Sequence, residues 1–415
     1  MLQKYDQWRA AKTIARHSLR AMVAMLGALC VSACDSTVKS TTPAMVTPSQ
    51  PATKSTELTS LGEQTLHPPD ASVACVEREA RVEIESIDVA ALYPKRVLEQ
   101  RMSFLAACAS SRATPDASAR ADVVALMEIY TNAKTAEDFA EGVDDSFELI
   151  EYRPVGSPAA VDDGAPLGLM TGYATPIVTV RLQRDEKFRY PFFANLHTRS
   201  PQLALASRSE LLASDEALTS VLAWIDSPLA WALVETNGTA SLNIETVGLA
   251  GTESTAMTRV ATNGKPWTSL GKGLASRGLI DAKTSTLRDV VRAAELNPDA
   301  ALAAALENQR VVYFTECLAE DFPPAVGIPG AKLVAGYSCA ADQSIYPPGS
   351  ILIVVARAHD PAKPRRARLV FVHDAGGAIV GPHHVDAYSG EGTAALTRAG
   401  EMREAVDIYR LRLRD

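Results

Sequence analysis

The chain has 415 residues, 47% of them apolar, with 24 glycines and 24 prolines and a formal net charge of −8. That much apolar residue in that length can bury a large core divided between two or so domains, and it excludes a disordered or collagen-like chain. The acidic balance, with no basic and aromatic interleaving, argues against nucleic acid and anionic lipid as partners.

Lys4, Arg9, Lys12, Arg16 and Arg20 stand against a single acid, Asp6, and an uncharged apolar run follows from Ala21 to Ala33. The run is too short for a membrane span and has the length of a signal-peptide core. It ends Val31-Ser32-Ala33-Cys34, which resembles a bacterial lipobox, so Cys34 is the expected lipidation site and 1–33 the lipoprotein signal peptide. The alternative is an uncleaved signal anchor; either way the body is exported and tethered to a membrane. Residues 34–70 are rich in Ser, Thr, Pro, Ala and Gln and cannot bury enough apolar surface to fold. They read as a disordered tether that could extend on the order of 100 Å.

Four cysteines remain beyond these segments: Cys75, Cys108, Cys317 and Cys339. An even number in an exported chain suggests disulfides with three possible connectivities, of which local pairing, Cys75 with Cys108 and Cys317 with Cys339, is preferred. The spacings fit neither a zinc ribbon nor a redox motif, and no cofactor is expected.

Helical spacing marks Leu98, Met102, Leu105 and Ala106, and again Val123, Val124, Met127, Tyr130 and Thr131;. Phe147 to Tyr152 turns to a strand pattern, and Ile177 to Leu182 is another strand. Leu229 to Glu235, Ser241 to Val247 and the approach to Asn263-Gly264 read as short β runs with close-set turns, suggesting a small barrel. Thr286-x-x-Asp289 is a capping box opening a helix with an apolar face of Leu287, Val290, Val291 and Ala294, stopped by Asn297-Pro298. Beyond Val311 the chain is again β-rich, with buried-looking runs Ile351 to Ala356 and Leu369 to Val372 and an alternating last strand, Val406 to Leu413.

Chemistry concentrates near the C-terminus. His373-Asp374-Ala375-Gly376-Gly377 leads through Val380-Gly381-Pro382-His383-His384 to Asp386, and Asp342 stands upstream before Pro347-Pro348. Paired glycines permit positive φ and close approach, so Gly376 and Gly377 are expected to fold the two later aspartates into one neighbourhood. Taken alone, Asp-x-Gly-Gly is an ordinary turn signal. The three histidines invite a metal hypothesis, but neighbours in a strand point to opposite faces, and they are better read as hydrogen-bonding groove residues.

These segments resemble the membrane-bound lytic murein transglycosylase A family, whose C-terminal part is a three-aspartate domain with residues placed like Asp342, Asp374 and Asp386. Thr171-Gly172-Tyr173-Ala174-Thr175-Pro176 is similar to its Thr-Gly-Tyr-Tyr-x-Pro segment, and Trp224-Ile225-Asp226 and Asn263-Gly264-Lys265-Pro266-Trp267 to further blocks. The resemblance covers about 165–415 in collinear order. It implies a mainly β fold with N-terminal helices: a double-psi β-barrel domain from 71–174 and 313–415, its three-aspartate part at 330–395, with 175–312 inserted as a smaller second barrel and a groove between them.

The same resemblance implies a peptidoglycan lytic exotransglycosylase, a glycan lyase that cleaves the β-1,4 MurNAc–GlcNAc bond and leaves a 1,6-anhydromuramoyl end. Because the substrate's own C6 hydroxyl is the nucleophile, one carboxyl can serve as acid and then base. Asp386 takes that role, Asp374 supports it, and Asp342 is a structural carboxylate. Thr171, Gly172, Tyr173, Asn237, Asn263, Gly264, Ser269, Gly376, Gly377 and His384 are candidate substrate contacts. The expected partner is peptidoglycan, for a monomer held by its Cys34 lipid on the periplasmic face of the outer membrane; Asp35 leaves the inner membrane open. Val380, His384, Ala174 and the segment Glu235 to Asn237 depart from the family pattern, which leaves a non-catalytic peptidoglycan-binding lipoprotein as the alternative.

Overall fold

The computed structural model describes residues 75–79, 87–94, 98–154, 168–246, 252–317, 327, 331–357 and 365–414, all within one compact unit. The signal segment, Cys34 and the tether lie outside the described residues. The strands are β1 Cys75–Glu79, β2 Phe147–Pro154, β3 Gly168–Thr175, β4 Ile177–Val180, β5 Tyr190–Ala194, β6 Val221–Ile225, β7 Thr239–Glu245, β8 Thr252–Thr262, β9 Val312–Cys317, β10 Ser338–Ala340, β11 Ile351–Ala356, β12 Ala367–Asp374, β13 His384–Glu391 and β14 Arg403–Leu413.

They form two sheets. The first runs β1-β2-β14-β11-β12-β10-β13-β3, and β3 also pairs with β14, so the strands from β14 round to β3 close into a ring. The second runs β4-β7-β8-β9-β5-β6, and a bridge between Arg181 and Trp224 links its two ends. One residue, Pro176, separates β3 from β4, so the chain leaves the ring and enters the second sheet almost at once. It returns only after Cys317. The boundary expected at 312 is therefore too early: β9 pairs with β5 and β8 and belongs to the inserted sheet.

Alternation assigns the faces. Val370, Val372, Val385, Ala387, Leu352, Val354, Val406 and Ile408 point into the ring, with Met170, Cys339 and Tyr346. The opposite faces of β11 and β12, through Ile351, Ile353, Val355, Leu369 and Phe371, meet the helices Leu98–Ala113, Ala117–Asn132 and Ala136–Ser146. Both faces of β11 are thus covered, which is why Ile351 to Ala356 reads as an unbroken apolar run. The first helix buries Phe104, Ala107 and Cys108, while Leu98 and Met102, expected on its apolar face, are 73% and 60% exposed.

One expected strand is a helix. Leu229 to Glu235 lies in the helix Pro228–Asn237, where the Ser227 side chain accepts from the Ala230 N–H, proline opens the first turn and Gly238 closes the last with φ 72°. N-cap, N1 proline and left-handed C-cap fix the element whatever its apolar composition suggests. The capping box at Thr286 opens the helix Leu287–Leu296 as expected.

The cysteines do not pair as expected. Cys108, Cys317 and Cys339 carry free thiols, and Cys75 packs against the ring core rather than beside Cys108. Cys108 lies in the helical core, Cys317 in the second sheet and Cys339 in the ring, so neither local pair shares a neighbourhood. Burial pushes the Cys108 thiol up to about 12, leaving it inert;.

Candidate active site

The two later aspartates meet through a strand that neither belongs to. On β10, Ala340 is in register with Asp374 of β12 on one side and with Asp386 of β13 on the other. Asp386 is in turn opposite Thr171 of β3, and Thr171 opposite Arg403 of β14. One row across the ring therefore reads Asp374, Ala340, Asp386, Thr171, Arg403. Residues paired in register project to the same face, and the methyl of Ala340 leaves room between the carboxylates.

A local irregularity aims Asp374. The β10–β12 register steps from Cys339 opposite Val372 to Ala340 opposite Asp374, skipping His373. Without that bulge Asp374 would follow Val370 and Val372 into the ring. The skipped His373 is fully buried: Ser111 Oγ lies 2.8 Å from its Nε2, Ser338 Oγ 2.7 Å from its Nδ1, and it stacks on Phe371. Desolvation pushes it down to about 3. His373 is thus a core clamp rather than the groove residue expected, because alternation from Phe371, two residues before it, turns it toward the helices.

Each carboxylate has a defined partner. Thr171 Oγ1 donates to Asp386 Oδ1 at 2.8 Å and lies 3.1 Å from His384 Nε2. The Tyr173 hydroxyl donates to Asp374 Oδ2 at 2.8 Å, and the Ala375 N–H to Oδ1 at 2.8 Å. Both side chains keep a partly accessible face although protein surrounds them, as at the floor of a cleft. Burial pushes Asp386 up to about 7, opposed by the Thr171 hydrogen bond and reinforced by the charge of Asp374. Burial likewise pushes Asp374 up to about 6, against the Tyr173 and Ala375 hydrogen bonds and the charge of Arg259. Desolvation is the larger cause for both, as it must be when a carboxyl is to hold its proton near neutrality.

Asp342 has a different part. It is buried, accepts from the Ser344 N–H at 3.0 Å and the Ser344 hydroxyl at 2.6 Å, and takes the Gly381 N–H at 2.8 Å. It thereby ties its own turn to the far end of the glycine loop. Gly381 (φ 83°), not the Gly376-Gly377 pair, is the left-handed residue of that loop. The pair lies in the turn after Asp374, and the two aspartates converge because both strands flank β10.

The other candidates divide. Thr171, Tyr173 and His384 sit at the carboxylates, and the Tyr173 ring packs 5.2 Å from that of Tyr388. Gly172 is there for packing: a Cβ would stand 2.9 Å from Ala399 Cα. Ala174 is buried against Ala395 and Ala399, where the family tyrosine would have no space. Asn263, expected to touch sugar, is 2% exposed and spent on protein: its amide donates to the carbonyls of Ala206 and Gln309, and its oxygen accepts from Val311 and Lys265. Ser269 caps the helix Leu270–Ser276, and Gly264 (φ 72°) forms an exposed turn. Glu235, expected in a groove wall, is buried against Arg208 at 2.6 Å. Asn237 bonds back to Leu233 O beside Gly238, whose carbonyl accepts from Arg259 N at 2.7 Å.

Arg259 was not foreseen. It lies on β8 of the inserted sheet, and its charge bears on Asp374 of the ring. An isolated arginine in a polar strand carries no sequence signal for such a role. Among the described residues no group of His, Cys, Asp and Glu could hold a metal ion.

A model of the 3D domain matches residues 337–412, and a model of the MltA specific insert domain matches 169–315. A membrane-bound lytic murein transglycosylase A of Escherichia coli (strain K12) is 29% identical over 235 residues, which are 55% of this chain and 61% of that protein. The match thus spans about three fifths of the curated relative's length. Among solved structures, a membrane-bound lytic murein transglycosylase from Agrobacterium tumefaciens superposes with a TM-score of 0.60 at 20% identity, covering 81% of this chain and 97% of that one. E. coli MltA with bound chitohexaose gives 0.59 at 23% identity, covering 76% and 90%. These structures share the fold, and the chain is similar in sequence to membrane-bound lytic murein transglycosylase A proteins.

Proposed function

We propose that this chain is a lytic transglycosylase of peptidoglycan, with Asp386 as its single general acid and base. One observation carries the reading: Asp386 and Asp374 share one face across Ala340, and burial keeps Asp386 protonated up to about pH 7 while leaving it a side open to a ligand. In the proposed reaction Asp386 gives its proton to the glycosidic oxygen between MurNAc and GlcNAc as the bond from that oxygen to C1 breaks. The C6 hydroxyl of the same MurNAc then attacks C1 and returns its proton to Asp386, closing the 1,6-anhydro ring. Asp374, ionised and held by Tyr173, lies close enough to favour the positive charge developing at C1;.

Arg259 supports a groove between ring and inserted sheet, since its charge bears on Asp374 from the second sheet. The oligosaccharide named with the E. coli structure fits the same substrate class. We also read the ring as a double-psi barrel, on the parallel pairings β3–β13 and β10–β12. A lipid on Cys34 would hold the monomer to the envelope, in keeping with relatives named membrane-bound; no helix among the described residues is long and apolar enough to cross a membrane. Digestion of purified sacculi, read by mass spectrometry, should release anhydromuropeptides with the wild type and none with Asp386→Asn. Sedimentation with sacculi without product would overturn the catalytic reading.

A further inference from the structure

The row that carries the two aspartates ends in a cation the proposed reaction does not use. Arg403 of β14 stands opposite Thr171 of β3, and Thr171 opposite Asp386 of β13. Partners in register project to one face, and the 2.8 Å bond from Thr171 Oγ1 to Asp386 Oδ1 fixes which face that is;. At about 4.8 Å per strand, the Cα atoms of Arg403 and Asp386 are about 10 Å apart. The floor beside them is low: the next pairs on that face are His384 with Leu169 and Leu169 with Ala405, an exposed alanine.

Arg403 is itself exposed, and its charge is not neutralised. A guanidinium has five N–H groups. Here Nη2 donates to the carbonyl of Lys283 at 3.2 Å, and among the described residues Arg403 has no carboxylate partner. The nearest acids in sequence are engaged elsewhere, Glu401 with Arg288 at 3.3 Å and Glu404 with Arg368 at 2.8 Å. Lys283 lies just before the helix Leu287–Leu296 of the inserted part. That helix meets the end of the helix Gly392–Glu401, where a Cβ on Gly400 would stand 3.1 Å from Arg288 N. Arg403 is therefore held at a seam between ring and inserted part, with one nitrogen anchored and most of its N–H groups unspent.

An exposed guanidinium fork matches a carboxylate. The substrate proposed above carries one at the right range. MurNAc differs from GlcNAc by a lactyl ether on O3, whose carboxyl is free in bare glycan and amide-linked to the peptide stem in peptidoglycan. The first free carboxylate of the stem then comes about two residues on, roughly 7 Å further. With C1 of that sugar at Asp386, either carboxylate falls within the span of about 10 Å that separates Asp386 from Arg403. A chain of N-acetylglucosamine alone has no such group. We propose that Arg403 receives a carboxylate borne on O3 of the reacting MurNAc and so gives the site a preference for peptidoglycan over neutral glycan. The inference rests on peptidoglycan being the substrate and assigns Arg403 no part in breaking the bond.

The test is binding, measured by calorimetry on the full chain carrying Asp386→Asn so that no ligand is consumed. Three probes of equal length are compared: a GlcNAc–MurNAc oligosaccharide with its peptide stems, the same glycan stripped of stems by an amidase, and a chitin oligosaccharide. Adding Arg403→Gln should raise Kd for a carboxylate-bearing glycan about tenfold, the loss of one hydrogen bond to a charged group at an open site, and leave chitin unchanged. Arg403→Lys should keep part of the affinity, and high salt should shrink the difference between arginine and glutamine. Weakening confined to the stem-bearing glycan assigns the carboxylate to the peptide; weakening of the stripped glycan assigns it to the lactyl group. Equal weakening of all three probes would make Arg403 a structural tie across the seam and overturn the proposal, as would no weakening of any. Unaltered chitin binding shows in the same experiment that the variant is folded. If the chain with Arg403 intact binds no glycan at all, the substrate class itself fails and this inference with it. If wild type releases no anhydro product from sacculi, only the catalytic reading falls, and the binding comparison still decides the role of Arg403.

Discussion

Replacing Asp374 by asparagine should make Asp386 a stronger acid. The two side chains flank Ala340, one strand away on either side, and strands are spaced about 4.8 Å apart, so their Cα atoms are about 10 Å from each other and the carboxylates, leaning into one cleft, about 8 Å;. At an effective dielectric of about 20 two such charges repel by about 2 kcal/mol, or about 1.5 pKa units. The open side of the cleft screens part of this, and burial rather than Asp374 is the leading cause of the shift. A drop of about one unit, from about 7 toward 6, is therefore expected. Asparagine still offers Tyr173 an oxygen, so the local geometry survives. The assay is the pH dependence of kcat/KM on a soluble GlcNAc–MurNAc oligosaccharide, whose alkaline limb reports ionisation of the free enzyme's acid. A limb that stays in place would show the carboxylates to be electrostatically independent, and one that moves upward would contradict the sign of the coupling.

Three further outcomes follow from the same geometry. Asp374 and Asp386 both titrate above the usual carboxylate range, at about 6 and about 7, so the folded state binds their protons more tightly than the unfolded chain does. Their contribution to stability is then full below about pH 4 and lost as pH rises through 7; melting temperature measured across that window should carry this downward component, and Asp374→Asn with Asp386→Asn should remove it. Gly172→Ala would place a Cβ 2.9 Å from Ala399 Cα and 3.0 Å from its carbonyl oxygen, and should cost about 1–3 kcal/mol in denaturant unfolding;. Glu235→Ala strands the Arg208 guanidinium in the inserted core and should cost about 3–5 kcal/mol, whereas Arg208→Met with Glu235→Leu should recover most of it;.

What could be read from the chain, and what could not, separates along a physical line. Ile351 to Ala356, Leu369 to Val372 and Val406 to Leu413 announce strands because burial on one or both faces writes itself into neighbouring residues. Leu229 to Glu235 carries the same apolar signature and is a helix, and the deciding residues, Ser227, Pro228 and Gly238, stand at its ends rather than within it. Cysteine parity describes a compartment and says nothing about distance, which is why Cys317 and Cys339 were matched across two different sheets. The pairing of Asp374 with Asp386 is of another kind. It requires β10, a three-residue strand more than thirty positions upstream of either carboxylate, together with a bulge that skips His373, and no periodicity within any segment encodes either. The motif resemblance found both aspartates because spaced blocks matched in order carry a register with them, whereas Arg259, outside every block, went unseen although its charge bears on Asp374. Proximity in this site is set by which strands are neighbours, so a substitution that disturbs the order β12-β10-β13, such as a charged residue at Ala340, should uncouple the two carboxylates without touching either one;.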